Sequence, residues 1–250
     1  MRHPILCSSF LIVAAAFGSV ASAATTPANI KVAVADSNRP APDTARDADR
    51  KPEETLAFAG VKDGASVSEL LPGHGYFTRI LSKAVGPKGH IYAWVPPAQG
   101  DRDFAKGLKD ILGNSTYANV TLVQQGFSKG LAPAPVDLVF TAQNYHDLHN
   151  VKEIDVAGFN KAVFDALKPG GVYLVIDHSA EKGSGARDTS TLHRIDKDTV
   201  KQEVTAAGFQ YVGESDVLAN AKDPRTAKVF DESIRGKTDQ FILKFRKPKK

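Results

Sequence analysis

The alternation of apolar and polar positions along the chain predicts strands and helices that follow one another in turn. Short apolar runs predict strands at residues 66–71, 90–95, 120–123, 136–141, 172–177, 209–218 and 240–245. Apolar residues at helical spacing predict helices at residues 52–59, 76–85, 103–112, 156–167 and 197–207. This alternation indicates an α/β fold with a doubly wound, mostly parallel seven-stranded sheet, helices on both faces and one antiparallel strand near the end.

Residues 1–23 have the pattern of a signal peptide. An almost wholly apolar stretch follows Arg2 and His3, and Ala21-Ser22-Ala23 has the small-x-small form that signal peptidase recognises. We predict cleavage after Ala23 and export to the periplasm. An uncleaved membrane anchor is the alternative, because the apolar stretch approaches the length of a membrane-spanning helix. Residues 24–50 lack apolar periodicity and predict a flexible leader, so the domain is expected at residues 51–250.

Charge and cysteine content narrow the classes of partner. The 250-residue chain has a formal net charge of only +4, and its single cysteine, Cys7, lies within the predicted signal peptide. The mature chain would therefore have neither a disulfide nor a cysteine-bound metal. Basic residues crowd the C-terminus without interleaved aromatic residues, which argues against a nucleic-acid partner. We expect a small-molecule substrate; peripheral membrane contact and the oligomeric state stay open.

A glycine turn with an acid in front of it follows the first predicted strand, in the segment Glu69-Leu-Leu-Pro-Gly-His-Gly75. In a parallel sheet this turn brings backbone N–H groups and a helix N-terminus to the ligand-binding edge. Gly73 and Gly75 allow positive φ angles and the close approach of a ligand. The Glu69 carboxylate can accept hydrogen bonds from a ligand amine or hydroxyl. Without its context, such a turn more often only packs a helix on a strand.

Residues 67–78 resemble the first motif of class I S-adenosylmethionine-dependent methyltransferases, and residues 86–93, 136–140 and 167–171 resemble later strands and turns of that family. More narrowly, the Pro-Gly-x-Gly, Asn-Tyr-His-Asp and Asp-His-Ser-Ala segments resemble an exported group of predicted methyltransferases. The resemblance implies a Rossmann-like fold, S-adenosylmethionine as cofactor, and methyl transfer to an unknown small molecule or envelope component. It implies these cofactor-binding residues: Glu69, Leu71, Pro72, Gly73, Gly75, Phe127 and Asn144.

Three positions depart from the family's pattern. Leu71 stands where the first glycine is usual, and Val95 where an acid usually binds the ribose hydroxyls. Phe127 lies near the position of an acid that reads the adenine amino group, and can pack on the adenine instead. Export would also separate the enzyme from a donor made in the cytoplasm. These departures keep open a non-catalytic ligand-binding protein on the same fold.

Histidines and acids follow the fourth and fifth predicted strands, whose carboxyl ends meet at one edge of the sheet. Methyl transfer to an OH or NH group needs positioning and the removal of a proton. We predict that His146 or Asp147 is the base or acceptor ligand, with His178 as a polar partner. Hydrogen bonds that merely fix the cleft wall are the other interpretation. A metal-dependent enzyme that uses His146, His149 and His178, with His193, Asp147 and Asp177 as further candidate ligands, is another alternative, although the spacing matches no specific metal signature.

Overall fold

The structure, a computed structural model, describes residues 26–98, 101–128 and 130–249. The predicted signal peptide lies outside these residues. The strands are β1 (Ser66–Leu70), β2 (His90–Val95), β3 (Val120–Gln124), β4 (Val136–Ala142), β5 (Leu167–His178), β6 (Gln210–Ser215) and β7 (Gln240–Arg246). The helices are α1 (Ala28–Val34), α2 (Ala41–Thr44), α3 (Asp47–Arg50), α4 (Pro52–Ala59), α5 (Tyr76–Val85), α6 (Val156–Ala166) and α7 (Lys197–Ala206). Short 3₁₀ helices lie at Phe104–Leu108, Ser115–Tyr117 and His146–Asn150.

The strands form one seven-stranded sheet in the order β3-β2-β1-β4-β5-β7-β6. The first five strands in this order, β3, β2, β1, β4 and β5, are parallel to one another, whereas β7 is antiparallel to both β5 and β6. This topology confirms the predicted mostly parallel sheet. The strand order reverses between β1 and β4, and in open α/β sheets such a switch point leaves a crevice at the carboxyl ends of the strands.

Helices cover both faces of the sheet, as predicted. On one face α1, α4 and α5 enclose a core that includes Leu56, Ile80 and Phe140, all fully buried. On the other face α6 and α7 pack Val163 and Val200 against the sheet, also fully buried. Burial on both faces explains the continuous apolar runs at residues 138–140 of β4 and 172–176 of β5. Among the residues that the structure describes, no helix combines the length and apolar character needed to cross a bilayer.

The segment at residues 26–50 differs from the flexible leader that its composition predicts. Ile30 and Ala33 of α1 are fully buried in the core that α5 completes. The Asn29 side chain donates a hydrogen bond of 2.9 Å to the Ala84 carbonyl. The prediction failed because two apolar residues and a few polar contacts with distant partners hold this segment, and neither produces a local periodic pattern.

Ion pairs and one hydroxyl tie the same segment to the start of α5. The Arg39 guanidinium forms a bidentate pair with Asp47, with N–O distances of 2.8 and 2.6 Å. The Tyr76 hydroxyl donates to Asp47 at 2.6 Å, and Arg79 pairs with Asp43 at 3.1 Å. Because Tyr76 directly follows the glycine turn, these contacts brace the turn from the outside.

The helix predicted at residues 103–112 is wrong; in its place a 3₁₀ helix spans Phe104–Leu108 and turns follow it. Gly107 lies in the middle of this segment, and a Cβ at that position would overlap the Gly73 carbonyl oxygen. Glycine also has a low propensity for the helix interior. The segment therefore lies directly on the glycine turn instead of forming a regular helix.

Candidate functional site

The turn after β1 carries the residues that the sequence singles out. Leu71, Gly73 and Gly75 have φ angles of 51°, 60° and 78°, all in the left-handed region. Leu71 therefore adopts the conformation that a glycine would adopt at its position, and its backbone N–H is held by the Trp94 carbonyl at 2.9 Å. A Cβ on Gly73 would have no described atom within 4 Å. The turn thus offers accessible backbone at the amino end of α5, an arrangement suited to a ligand.

Glu69 lies beneath this turn, and one of its carboxylate oxygens lacks a hydrogen-bond partner in the part of the chain that the structure describes. The residue is only 3% exposed, and its Oε2 atom has no hydrogen-bond partner among the described residues. Burial raises the pKa of Glu69 to about 7, although the Thr78 hydroxyl and the charges of Arg50 and Arg79 act in the opposite direction. A buried acceptor without a partner is costly unless a ligand donor reaches it.

A cleft of about 330 Å³ opens at the carboxyl edge of the sheet, next to the turn. It joins the glycine turn to the segment that follows β4, and its lining residues are Leu71, Gly73, Val95, Pro96, Arg102, Phe104, Phe127, Asn144, Asp147, Leu148, Asn150, Val151 and Ile154. The Phe127 ring forms part of the wall, with the buried Trp94 ring 5.3 Å from it, centroid to centroid. Asn144 donates to the Leu71 carbonyl at 3.2 Å and so connects the two sides.

His146 and Asp177 form a buried pair beside the cleft. The His146 side chain is 3% exposed and Asp177 is fully buried. The His146 Nδ1 and Asp177 Oδ1 atoms are 2.8 Å apart, and the His146 backbone N–H donates to Asp177 Oδ2 at 2.7 Å. Burial lowers the pKa of His146, but the adjacent carboxylate more than compensates, so its pKa is raised overall. The Asp177 pKa is held below its usual range by the same pair, against the effect of burial.

The other ring nitrogen of His146 faces two further polar side chains. His146 Nε2 lies 3.3 Å from His193 Nδ1 and 3.4 Å from the Asp147 carboxylate. His193 Nδ1 and the same Asp147 oxygen are 3.8 Å apart. Asp147 also lines the cleft, so this three-residue cluster borders the space in which a ligand would bind.

His178 and His149 are held separately from this cluster. The His178 ring is hydrogen-bonded to the Thr238 hydroxyl at 2.7 Å, and its centroid is 6.2 Å from that of His146. Burial lowers the pKa of His178 to about 4, so it is neutral near pH 7. His149 points to Glu203 at 3.3 Å. Of the four histidines in the metal alternative, His146 and His193 therefore lie in this cluster and the other two do not, because His149 pairs with Glu203 on α7 and His178 with Thr238.

Comparisons with known proteins identify the fold to which this site belongs. No protein-family model matches the chain. The ubiquinone/menaquinone biosynthesis C-methyltransferase UbiE of Legionella pneumophila (strain Lens) is 28% identical over 193 residues, which cover 72% of this chain and 70% of the relative. A solved S-adenosylmethionine-dependent methyltransferase from Aquifex aeolicus superposes with a TM-score of 0.56 and 21% identity, covering 78% of this chain and 88% of that chain. The chain has the S-adenosylmethionine-dependent methyltransferase fold.

This methyltransferase fold also occurs in a solved structure that is named for a different activity. The [4+2]-cyclase SpnF superposes with a TM-score of 0.60 and 16% identity, over 81% of this chain and 82% of that chain. At such identities the superposition establishes the fold alone. The fold therefore predicts where a ligand binds, and the side chains around the cleft must decide the chemistry.

On this methyltransferase fold, the structure brings most of the predicted site residues to one edge. Leu71, Gly73, Phe127, Asn144 and Asp147 line the cleft, and Glu69 lies below the turn. Pro72 and Gly75 shape the turn without lining the cleft. The positions of the strand ends predicted His146, Asp177 and His178 at this edge, and the metal alternative included His193, whereas no pattern assigned Arg50 to the site. A strand-terminal Asp-His pair was the one signal available for Asp177.

Proposed function

We propose that this protein is an S-adenosylmethionine-dependent methyltransferase that acts on a small molecule or an envelope component. One observation carries the proposal: a single cleft connects the glycine turn after β1 with Asp147, whose carboxylate contacts the buried His146–Asp177 pair. The turn is the cofactor end of the cleft and the polar cluster is the acceptor end. The similarity to UbiE supports this function over a non-catalytic role.

The residues present fit the cofactor at its methionine end. The unsatisfied Oε2 atom of Glu69 is a suitable acceptor for an ammonium group, and Gly73 lets a ligand approach the backbone. The Phe127 ring can pack on an adenine. Ribose hydroxyls find no carboxylate at Val95, and the polar side chains that line the cleft are those of Arg102, Asn144, Asp147 and Asn150. Bound S-adenosylmethionine supplies a methyl group on a positively charged sulfur.

The polar cluster orients the acceptor and removes its proton. Asp177 fixes the His146 ring through Nδ1, which leaves the Nε2 lone pair directed toward Asp147 and His193. His146 Nε2 would accept the proton of an acceptor OH or NH group beside it, which would make the acceptor oxygen or nitrogen a better nucleophile for the methyl group that S-adenosylmethionine would supply, with S-adenosylhomocysteine as the leaving group. The raised pKa of His146 makes it a stronger base. The backbone N–H of His178 donates a hydrogen bond of 2.8 Å to Asp177 Oδ1 and helps to hold that carboxylate in place. The His178 ring itself is neutral and bonded to the Thr238 hydroxyl.

We also propose that the protein is exported and acts in the periplasm. Peripheral contact with a membrane would let it reach an acceptor in the envelope. The proposal is supported by the signal-peptide pattern of residues 1–23. N-terminal sequencing of the protein from cell fractions tests it. A mature chain that begins at Ala24 in the periplasmic fraction is the expected result, and an intact Met1 in the cytoplasmic fraction would contradict it.

Calorimetry with S-adenosylmethionine and S-adenosylhomocysteine tests the central claim. We expect one binding site for each, competing with each other. No binding at millimolar ligand would refute the function. Transfer of a labelled methyl group is then measured on a panel of acceptors that includes quinols, because the Legionella relative is named for quinone biosynthesis. Alanine at His146 should abolish labelling while cofactor affinity stays nearly unchanged.

A second candidate is favoured by Val95 and by the cyclase that shares the fold. In this case the cleft binds a ligand, with or without the cofactor, and transfers no methyl group. Cofactor binding without label transfer to any acceptor, together with tight binding of another small molecule, would support this alternative.

A further inference from the structure

The cluster of His146, Asp147 and His193 brings three electron-pair donors together at one point. His146 donates its Nδ1 proton to Asp177, so its Nε2 atom presents a lone pair. Facing that lone pair are the Nδ1 atom of His193 and a carboxylate oxygen of Asp147. Such a convergence is stabilised by a shared proton or by a cation. We propose that these three atoms bind a divalent transition-metal ion at the edge of the cleft.

The separations of the three atoms fit a metal ion. Bonds of about 2.0–2.1 Å in tetrahedral geometry place neighbouring ligand atoms about 3.4 Å apart. Two edges of the observed triangle measure 3.3 and 3.4 Å, and the third measures 3.8 Å. The longer edge joins His193 to Asp147, whose side chain is 46% exposed and free to rotate by the small amount required. Three protein ligands leave a fourth position for a ligand in the cleft.

The surroundings hold two of the ligands in place before an ion arrives. Asp177 binds both the Nδ1 atom and the backbone N–H of His146, which is the carboxylate–histidine arrangement found behind metal-binding imidazoles. His193 has a φ angle of 56°, a strained conformation for a side chain of this size. The next residue, Arg194, is fully buried in an ion pair with Asp223 at 2.9 Å and fixes the chain there.

The ligand set determines the class of ion. Two imidazoles and one carboxylate suit Zn²⁺, Fe²⁺ or Mn²⁺, and they disfavour Ca²⁺ and Mg²⁺, which prefer oxygen ligands. The carboxylates of Asp147 and Asp177 attract a cation, whereas the charge of Lys228 acts on His193 and opposes it. Binding of the ion does not depend on the proposed function. Its use rests on that function: the ion would hold an acceptor oxygen at the cleft edge, and His146, with Nε2 on the ion, would act as a ligand in place of its role as the base.

Metal binding by the purified protein, after chelator treatment, tests the site directly. Zn²⁺ is titrated calorimetrically, and Co²⁺ is followed by its visible d–d absorption, which reports coordination by nitrogen and oxygen. We expect one ion per chain and a higher unfolding temperature with Zn²⁺. His193→Ala and Asp147→Asn should each weaken binding by at least about tenfold, and Asp177→Asn by about 10- to 100-fold.

His149→Ala is the matched control, since His149 lies on the same 3₁₀ helix and pairs with Glu203 outside the cluster. It should bind metal like the unmodified protein. Absence of binding, or equal binding by the His193→Ala variant, would overturn the proposal, as would binding lost only in His149→Ala. S-adenosylmethionine titration of the same samples separates the two claims: cofactor binding without metal binding refutes the metal site and leaves the proposed function intact.

Discussion

Replacing Glu69 with glutamine tests whether the buried carboxyl beneath the glycine turn is reserved for a ligand. Its pKa rises from 4.5 to about 7 in the folded protein because burial disfavours the charged form. A rise of this size corresponds to about 3 kcal/mol in the free energy of unfolding. The unfolded chain loses this proton at lower pH than the folded chain does. The contribution of Glu69 to stability is therefore fully present below about pH 4.5 and is lost as the pH rises to about 7.

Glutamine cannot ionise, so the Glu69→Gln variant should escape this loss. Between pH 4.5 and 7.5 the free energy of unfolding of the unmodified protein should fall by about 3 kcal/mol relative to the variant. Urea denaturation followed by circular dichroism at several pH values measures the difference. The exposed Glu153→Gln variant is the control and should follow the unmodified protein. If the free energy of unfolding changed with pH in the same way for Glu69→Gln and the unmodified protein, the assignment of a buried, unsatisfied carboxyl would be refuted.

The same variant separates stability from ligand binding. At pH 8 the ionised Glu69 should bind a ligand ammonium group through a charge-assisted hydrogen bond worth about 1.5–3 kcal/mol. Glu69→Gln should therefore weaken S-adenosylmethionine binding by about 10- to 100-fold while making the free protein more stable. A variant that is more stable and binds the cofactor equally well would show that Glu69 does not contact the ligand.

Two further substitutions address the elements that surround the turn. Gly107→Ala should displace the Phe104–Leu108 segment from Gly73 and lower cofactor affinity, measured calorimetrically, whereas Gly126→Ala, with open space around it, should leave affinity unchanged. Equal affinities would contradict the close packing of this segment. Ile30→Ala should lower the free energy of unfolding by about 2–5 kcal/mol because Ile30 is fully buried, and Val32→Ala, at a position 61% exposed on the same helix, should change it by less than about 0.5 kcal/mol. A flexible leader would make both changes neutral in urea denaturation.

Local patterns predicted most of the sheet and its helices. Helix α5 begins and ends where the spacing of Phe77, Ile80 and Leu81 and the break at Gly86 predict, because amphipathic periodicity and end signals lie within the segment itself. Helix α1 was missed because its stability comes from contacts with α5, far along the chain. The sequence could not distinguish a free segment from one whose few apolar residues are covered by a distant helix.

The sequence predicted at which edge of the sheet the site lies, but not how the side chains of the site pair with one another. Parallel topology placed His146 and His178 at the same edge, since both follow neighbouring strands. It could not say which histidine would face Asp177, nor that the His193 ring would meet Nε2 of His146. Those pairings depend on loop backbone conformation, such as the left-handed φ of His193, which carries no sequence signature. Leu71 likewise has a left-handed φ angle of 51°, which its residue type does not indicate.

The contact between α1 and α5 imposes an order of events during protein synthesis. Asn29 and the carbonyl that it binds, on Ala84, are 55 positions apart. A ribosome makes the α1 segment well before α5, so the contacts that bury Ile30 and Ala33 against α5 cannot form until α5 has also been made. The outer brace of the glycine turn, which joins Asp47 to Tyr76 and Asp43 to Arg79, has the same requirement. A reporter or partner attached ahead of residue 26 would therefore act on a segment that is made early but can reach its packed position only after α5 is complete.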